Sequence, residues 1–300
     1  MRRVILTGML LVGVAVLVSV AGSRMRRQRA PRDGAALAQA AAPTDPARDN
    51  PAVFLFDDFE GGSFAKWDND DQDFGDPDLR IVNDPAVAHS GTHCLEVTAR
   101  EGEGTGGKLA KWFMPGVEDL YARWYCKFAT DFDQGNHMHF VHLLGGPPDN
   151  KWAAFGKAGV KPSGTDFFTT GFEPWRDWGK HPAPGAMMFY SYYPDMQKAP
   201  DGNYWGNMFM TDPPFVPERD RWYCMEVHVK LNTPGQADGE QAAWVDGQEV
   251  GRFTGIRWRE IPALKLNCFW LMLYVHNSTH PNRVYFDDAA LSTSPIGPAK

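Results

Sequence analysis

Beyond residue 50, apolar and polar positions mostly alternate with a period of two, in segments bounded by Gly, Pro, Asn and Asp. That spacing puts successive side chains on opposite faces of a strand. It predicts strands over residues 53–59, 93–99, 120–128, 137–143, 187–193, 222–231, 242–245, 269–276 and 284–291. Their Val, Tyr, Phe and Trp content suits a pleated, half-buried surface. No segment in this region holds an apolar 3.6-residue stripe of helical length, and no internal repeat is present. Many strands separated by turn signals predict an all-β sandwich or barrel.

Turn chemistry supports the pattern. Asp246-Gly247 lies between two short apolar runs and supplies the positive φ angles of a tight hairpin. Thr233-Pro234-Gly235 places Pro and Gly where a type II turn needs them. Residues 145–186 alternate little and are rich in aromatics, glycine and proline. They read as a long loop, and loops of that length are uncommon unless functional.

The first fifty residues differ. Met1-Arg2-Arg3 precedes an uncharged apolar run over residues 4–22, followed by Arg24, Arg26, Arg27 and Arg29. Residues 1–29 read as a signal peptide, with a small-residue cleavage site at Ser19-Val20-Ala21, or as a retained membrane anchor with a basic flank. Residues 30–50, rich in Ala, Pro, Asp and Arg, read as a disordered linker. The expectation is a secreted or extracytoplasmic domain over residues 51–298, with any membrane contact made through the N-terminal segment.

Charge narrows the partners. The first 50 residues hold 8 basic and 3 acidic side chains, which leaves 22 basic against 34 acidic in the remainder. A domain near −12 is a poor match for nucleic acid. A polyanionic substrate then requires positive charge concentrated locally in the binding cleft. Cys94, Cys126, Cys224 and Cys268 are widely spaced, with no CxxC pair. In an exported protein an even number favours at least one disulfide; the alternative is four small buried residues.

Three runs carry a family resemblance. Tyr121-Ala122-Arg123-Trp124-Tyr125-Cys126-Lys127-Phe128 with Asp131-Phe132-Asp133 resembles the entry strand of alginate- and glucuronan-lyase-like jelly rolls. The run from Trp222 through Val229-Lys230-Leu231-Asn232-Thr233-Pro234-Gly235, with Asp238-Gly239 and Trp244-Val245-Asp246-Gly247, resembles the most distinctive word of that family. Tyr285-Phe286-Asp287-Asp288 and Ile296-Gly297-Pro298 resemble its ending. The resemblance implies a concanavalin-A-like jelly-roll β-sandwich of two antiparallel sheets. It also implies a polysaccharide partner lying across one sheet face, and cleavage by β-elimination.

The resemblance further implies a catalytic Tyr-x-Tyr pair, found here as Tyr190 and Tyr192, which share a strand face. Where the family carries a lysine word, this chain has His137 and His139, with His142 nearby. Where the family carries an arginine word, this chain has Thr169 to Trp175, with Arg176 just after. The catalytic candidates are therefore Tyr190, Tyr192, His139 and His137, since histidine titrates near neutrality. Structural hydrogen bonding, or metal binding by His137 and His139 with one further ligand, are the alternatives for the histidines.

Trp175, Trp178, Tyr204 and Trp205 lie among glycines and prolines, and their faces suit the C–H face of a pyranose. With Arg176, Glu173 and His142 they form the expected substrate-binding set. Glu173 and Asp177 also qualify as the paired carboxylates of a glycosidase. No cofactor motif is present. A structural calcium would fall to Asp57, Asp58 and Glu60 near the start and Asp287 and Asp288 near the end, the alternative being a solvated acidic edge. Three functions remain open: a polysaccharide lyase or diverged relative, a non-catalytic glycan-binding module of the cell envelope, and an envelope adhesion or matrix protein for which the sandwich is only a scaffold.

Overall fold

The computed structural model describes residues 45–68 and 77–299. One sheet has 8 strands: β1 (Val53–Asp57), β2 (Leu79–Asn83), β3 (His93–Ala99), β5 (Asp119–Phe128), β11 (Tyr223–Lys230), β12 (Gly239–Val245), β13 (Gln248–Ile256) and β15 (Asn282–Ser292). The other has 7: β4 (Gly102–Val117), β6 (Met138–His139), β7 (Val141–Gly146), β8 (Phe168–Trp175), β9 (Ala186–Tyr192), β10 (Asn207–Met210) and β14 (Lys265–Ser278). The first runs β13-β12-β11-β5-β15-β3-β2, with β1 also on β15; the second runs β10-β9-β8-β7-β14-β4, with β6 also on β14. Every pairing is antiparallel. This is the expected all-β jelly-roll sandwich.

The core lies between the sheets. Trp124 and Phe128 from one meet Phe140, Phe172, Phe189 and Phe269 from the other, all essentially without solvent exposure. Each such side chain contributes about 1.5–3 kcal/mol by leaving water. The Asp246-Gly247 hairpin between β12 and β13 has φ of 50° and 78°, as that turn requires.

All the expected strands are present, but 137–143 is broken at Phe140 into β6 and β7. The long loop expected over 145–186 is interrupted by β8. That strand is covered on both faces, so it has no polar alternation, and Gly171 and Pro174 disguise it further. The linker expected over 30–50 ends by Asp45. Asp45 caps helix α1 (Pro46–Asp49) and pairs with the buried Arg123 guanidinium through two contacts of 2.7 Å. The rest of the expected linker, the expected leader at 1–29 and most of the acidic run at 68–73 lie outside the described residues. Among the described residues, no helix is long and apolar enough to cross a membrane.

The disulfide expectation fails: all four cysteines are free and buried. Register explains why. Cys126 faces Tyr223 across β5 and β11, while Cys224 faces Tyr125, one step along. Neighbouring positions point to opposite sheet faces, so the two sulfurs diverge. Cys268 belongs to the other sheet and Cys94 to β3. Burial pushes the Cys94 and Cys224 thiols up to about 12.

The five carboxylates considered for calcium each hold protein donors. Asp57 takes the Trp67 indole N–H at 2.7 Å, Asp58 pairs with Arg48, and Glu60 accepts from the Thr92 and His93 backbone. Asp287 accepts from the His89 and Ser90 backbone, and Asp288 from the Ser90 hydroxyl.

Candidate functional site

On the face of the seven-stranded sheet turned from the core, strand register sets Met208, Tyr190, Gly171, His142, Trp270 and Ala110 side by side in one row. Trp270, Met272, Tyr274 and His276 share this face of β14, being two residues apart. The break at Phe140 matters here. In an unbroken strand His139 and His142 would point to opposite faces; with Phe140 and Val141 both in the core, both histidines emerge on this one.

Glu173 of β8 organises the site. Its carboxylate has no solvent exposure, and its two oxygens lie 2.8 Å from His137 Nε2 and 3.2 Å from His139 Nδ1. His142 Nε2 is 3.7 Å from the same carboxylate. Around this centre the His139 ring lies 5.7 Å from Tyr190, 5.0 Å from His276 and 6.0 Å from Tyr274, and His137 lies 5.4 Å from Tyr190. Gly171 makes room: a Cβ there would stand 2.4 Å from His142 Nε2.

Electrostatics divide the cluster. Burial alone would raise the Glu173 carboxyl, but the His139 charge and the hydrogen bonds from His137 and His139 hold it well below the carboxylate range. Burial works against a charged His139, yet the Glu173 charge and hydrogen bond raise it above its ordinary value. His142, deeper, is pushed down by burial to about 4 and is neutral. Burial, then the charges of His139 and His137, lower His276 as well. Burial and the Tyr192 hydroxyl raise the Tyr190 phenol, which keeps it protonated. His137, His139 and Glu173 place ligand atoms within 4.8 Å of one another, so they are also the set that could hold a divalent cation.

A pocket of about 230 Å³ opens beside this centre, walled by His139, His142, Tyr190 and Tyr192 and floored by Trp270 and Met272. Phe155, Gly156 and Lys157 from the loop before β8 close its far side. Tyr192 is nearly buried, 5.7 Å from Tyr190, and its hydroxyl accepts from the Gly159 N–H at 3.4 Å.

The expected substrate-binding set disperses. Glu173 is a buried clasp for histidines rather than a sugar contact, and Asp177 pairs with Lys180 instead of facing it. Arg176 braces the chain through Asp133 at 2.7 Å and the Gly135 and His181 carbonyls. Trp175 ends β8 beside His137, while Trp178 is 83% exposed. Tyr204 and Trp205 lie in the loop beyond β9, where the Trp205 indole donates to Asp201. None of these seven lines the pocket. His276, Tyr274 and Trp270 were missed, although all three sit at even positions of an expected strand.

No known family model matches the chain, and no curated protein does. Solved structures do. The marine PL-14 alginate lyase from Aplysia kurodai superposes with a TM-score of 0.59 at 16% identity, covering 74% of this chain and 89% of that one. The endo-β-1,4-glucuronan lyase from the fungus Trichoderma reesei gives 0.55 at 14%, covering 81% and 96%. An alginate lyase mutant solved with alginate tetrasaccharide gives 0.54 at 16%, covering 82% and 95%. The chain shares the jelly-roll fold of these solved lyases. At these identities the likeness speaks for the fold, and the chemistry rests on the residues above.

Proposed function

We propose that the protein is a carbohydrate-active lyase that cleaves an acidic glycan by β-elimination beside Glu173. The observation that carries this reading is His139, paired at 3.2 Å with a fully buried Glu173 that favours its charged form, and standing 5.7 Å from the protonated Tyr190. Elimination makes three demands: neutralise the uronate carboxylate, take the C5 proton, and protonate the leaving oxygen at C4. His139 meets the first, replacing the family's lysine and arginine with an imidazolium. His276, kept neutral, takes the C5 proton. The C5–H electrons become the C4–C5 double bond, the C4–O bond breaks, and the departing oxygen takes the Tyr190 proton. His276 then returns its proton to Tyr190 through solvent. Groups whose surroundings drive their pKa values apart support such a division of labour.

The test is an ultraviolet assay for the unsaturated product on a panel of polyuronates, with Tyr190→Phe beside the parent. The expected result is product from the parent and a loss of at least about 100-fold in the variant. Absence of product across the panel overturns the lyase reading. Glycan binding without product would favour the binding-module reading, which the lack of a lysine or arginine among Glu173's partners in the described residues supports. Export, through a cleaved signal or a retained anchor, would bring such a protein to extracellular glycans.

A further inference from the structure

The lyase reading uses the histidine side of the pocket and leaves its far wall unexplained. That wall carries a turn, Lys157-Ala158-Gly159-Val160, in which the Val160 N–H bonds to the Lys157 carbonyl at 3.0 Å. Gly159, third in the turn, takes a φ of 75°, the left-handed value that a type II turn needs there. Two further bonds pin the turn beside the pocket. The Gly159 N–H donates to the Tyr192 hydroxyl at 3.4 Å, and the Tyr204 N–H donates to the Gly159 carbonyl at 3.1 Å. Lys157 is thereby tied to β9 and to the loop beyond it.

Lys157 is half-buried, and it lines the pocket together with Phe167. Its Nζ lies 5.7 Å from the centre of the Phe167 ring, so the stem covers apolar surface and the ammonium stands on the pocket wall. Lys66, Lys111 and Lys180 each have an aspartate oxygen within 3.4 Å. Among the described residues, Lys157 has no carboxylate so placed, and no Asp or Glu lines the pocket. A chain of net charge −7 thus keeps carboxylates out of this opening and sets an ammonium in its wall. A half-buried cation beside apolar surface attracts an anion more strongly than one in open water does.

From this geometry we infer that the pocket is a subsite for one acidic sugar, the neighbour of the reacting one, and that Lys157 selects that sugar by its carboxylate. At about 230 Å³ the space falls below the range of drug-sized sites, roughly 300–1,000 Å³, and suits a single sugar ring. Leu144, Phe167 and Met272 offer apolar surface to the ring's C–H groups, and Thr169 adds a hydroxyl. The sugar carboxylate accepts a charge-assisted hydrogen bond from the ammonium. His139, on the other side of the pocket, is left to the carboxylate of the reacting sugar. Two consecutive acid groups are then read by two different side chains. The inference rests on the lyase reading only for which sugar reacts; acid recognition is a separate property.

The experiment measures binding of the full chain to alginate, a glucuronan and a polygalacturonate, and to the carboxyl-reduced form of each. Lys157→Gln and Lys157→Arg are compared with the parent, and steady-state kinetics are run where product forms. The expected result is that the parent binds at least one acidic glycan more tightly than its reduced form. Lys157→Gln then binds that acidic glycan about tenfold more weakly and binds the reduced form as the parent does. Lys157→Arg, which keeps the charge, stays within about threefold of the parent on the acidic glycan. Where product forms, the loss in Lys157→Gln falls on KM rather than kcat. A lysine that only covers Phe167 would cost both forms alike, so equal losses overturn the subsite. Parent-like affinity of Lys157→Gln for the acidic glycan overturns it too, as does a parent that binds every reduced form as tightly as the acidic one. Binding that behaves as expected without product removes the lyase reading and keeps the subsite. Product from the parent, with KM unmoved in Lys157→Gln, removes the subsite and keeps the lyase reading.

Discussion

Glu173 Oε2 lies 3.2 Å from His139 Nδ1, with the carboxylate wholly shielded from water and the imidazole on the pocket wall. A buried charge is costly unless paired and hydrogen-bonded, and Glu173 is both. Its second oxygen holds His137 at 2.8 Å. The pairing raises His139 above its ordinary value, which favours the charged form that the proposed lyase reading sets against a substrate carboxylate.

Glu173→Gln removes that support. His139 is raised chiefly by the Glu173 charge, against the pull of burial, so its value falls when the charge is lost. The expected kcat/KM profile declines on the alkaline side as His139 loses its proton, and in the variant this decline moves to lower pH. The measurement is kcat/KM against pH for both proteins; superimposable alkaline limbs would remove His139 from the reaction.

His142 predicts acid sensitivity. Its folded value, about 4, lies below the ordinary 6.5. The unfolded chain therefore binds a proton first, and stability falls as pH drops from about 6.5 to about 4, by about 3 kcal/mol. His276, also lowered, adds in the same direction. The Asp287 carboxyl, pushed up to about 8 by burial and by Asp288, works in the opposite sense. The readout is therefore the difference between parent and His142→Gln in denaturant midpoint across this range. The gap is expected to narrow toward pH 4, and a constant gap would contradict a neutral buried His142.

Gly171→Ala tests the packing that seats the cluster. The added methyl would stand 2.4 Å from His142 Nε2, so the ring must leave its place near Glu173. Overpacking of this kind costs about 1–3 kcal/mol. Denaturant unfolding reads the cost directly, and activity is expected to fall with it. Unchanged stability and activity would show that the ring can shift without consequence.

Period-two alternation was enough to find the strands whose faces differ in polarity, such as β5 and β11. It fails for β8, where both faces are covered, and that strand carries Glu173. The role of Glu173 also depends on cross-strand register that no local pattern encodes. Reading 137–143 as one strand set His137 and His139 on one face and His142 on the other; the break at Phe140 reverses the last assignment. His276 was legible in principle, since it shares parity with Trp270 and Tyr274 in an expected strand. The cysteines misled because count and compartment carry no register, and one step of register separates Cys126 from the partner position of Cys224.

The two tyrosines that the family resemblance pairs are expected to separate in experiment. Tyr190 lies 5.4 Å from His137 and 5.7 Å from His139, whereas the ring contact of Tyr192 in this cluster is with Tyr190, at 5.7 Å. Tyr192 is packed with Phe167 and Met196, and its hydroxyl takes the Gly159 N–H at 3.4 Å. Removing that hydroxyl forfeits the long hydrogen bond from Gly159 and its contact with the Tyr190 phenol, each about 0.5–1.5 kcal/mol of stability. Tyr192→Phe is therefore expected to keep kcat within about threefold of the parent, with a slight fall in unfolding midpoint. Tyr190→Phe is expected to keep its fold and glycan affinity while losing turnover, because the leaving oxygen then lacks the phenol proton assigned to it. Single-turnover product formation and unfolding midpoints for both variants decide the matter. Equal losses of turnover would return Tyr192 to the reaction, and a silent Tyr190→Phe would remove the phenol from it.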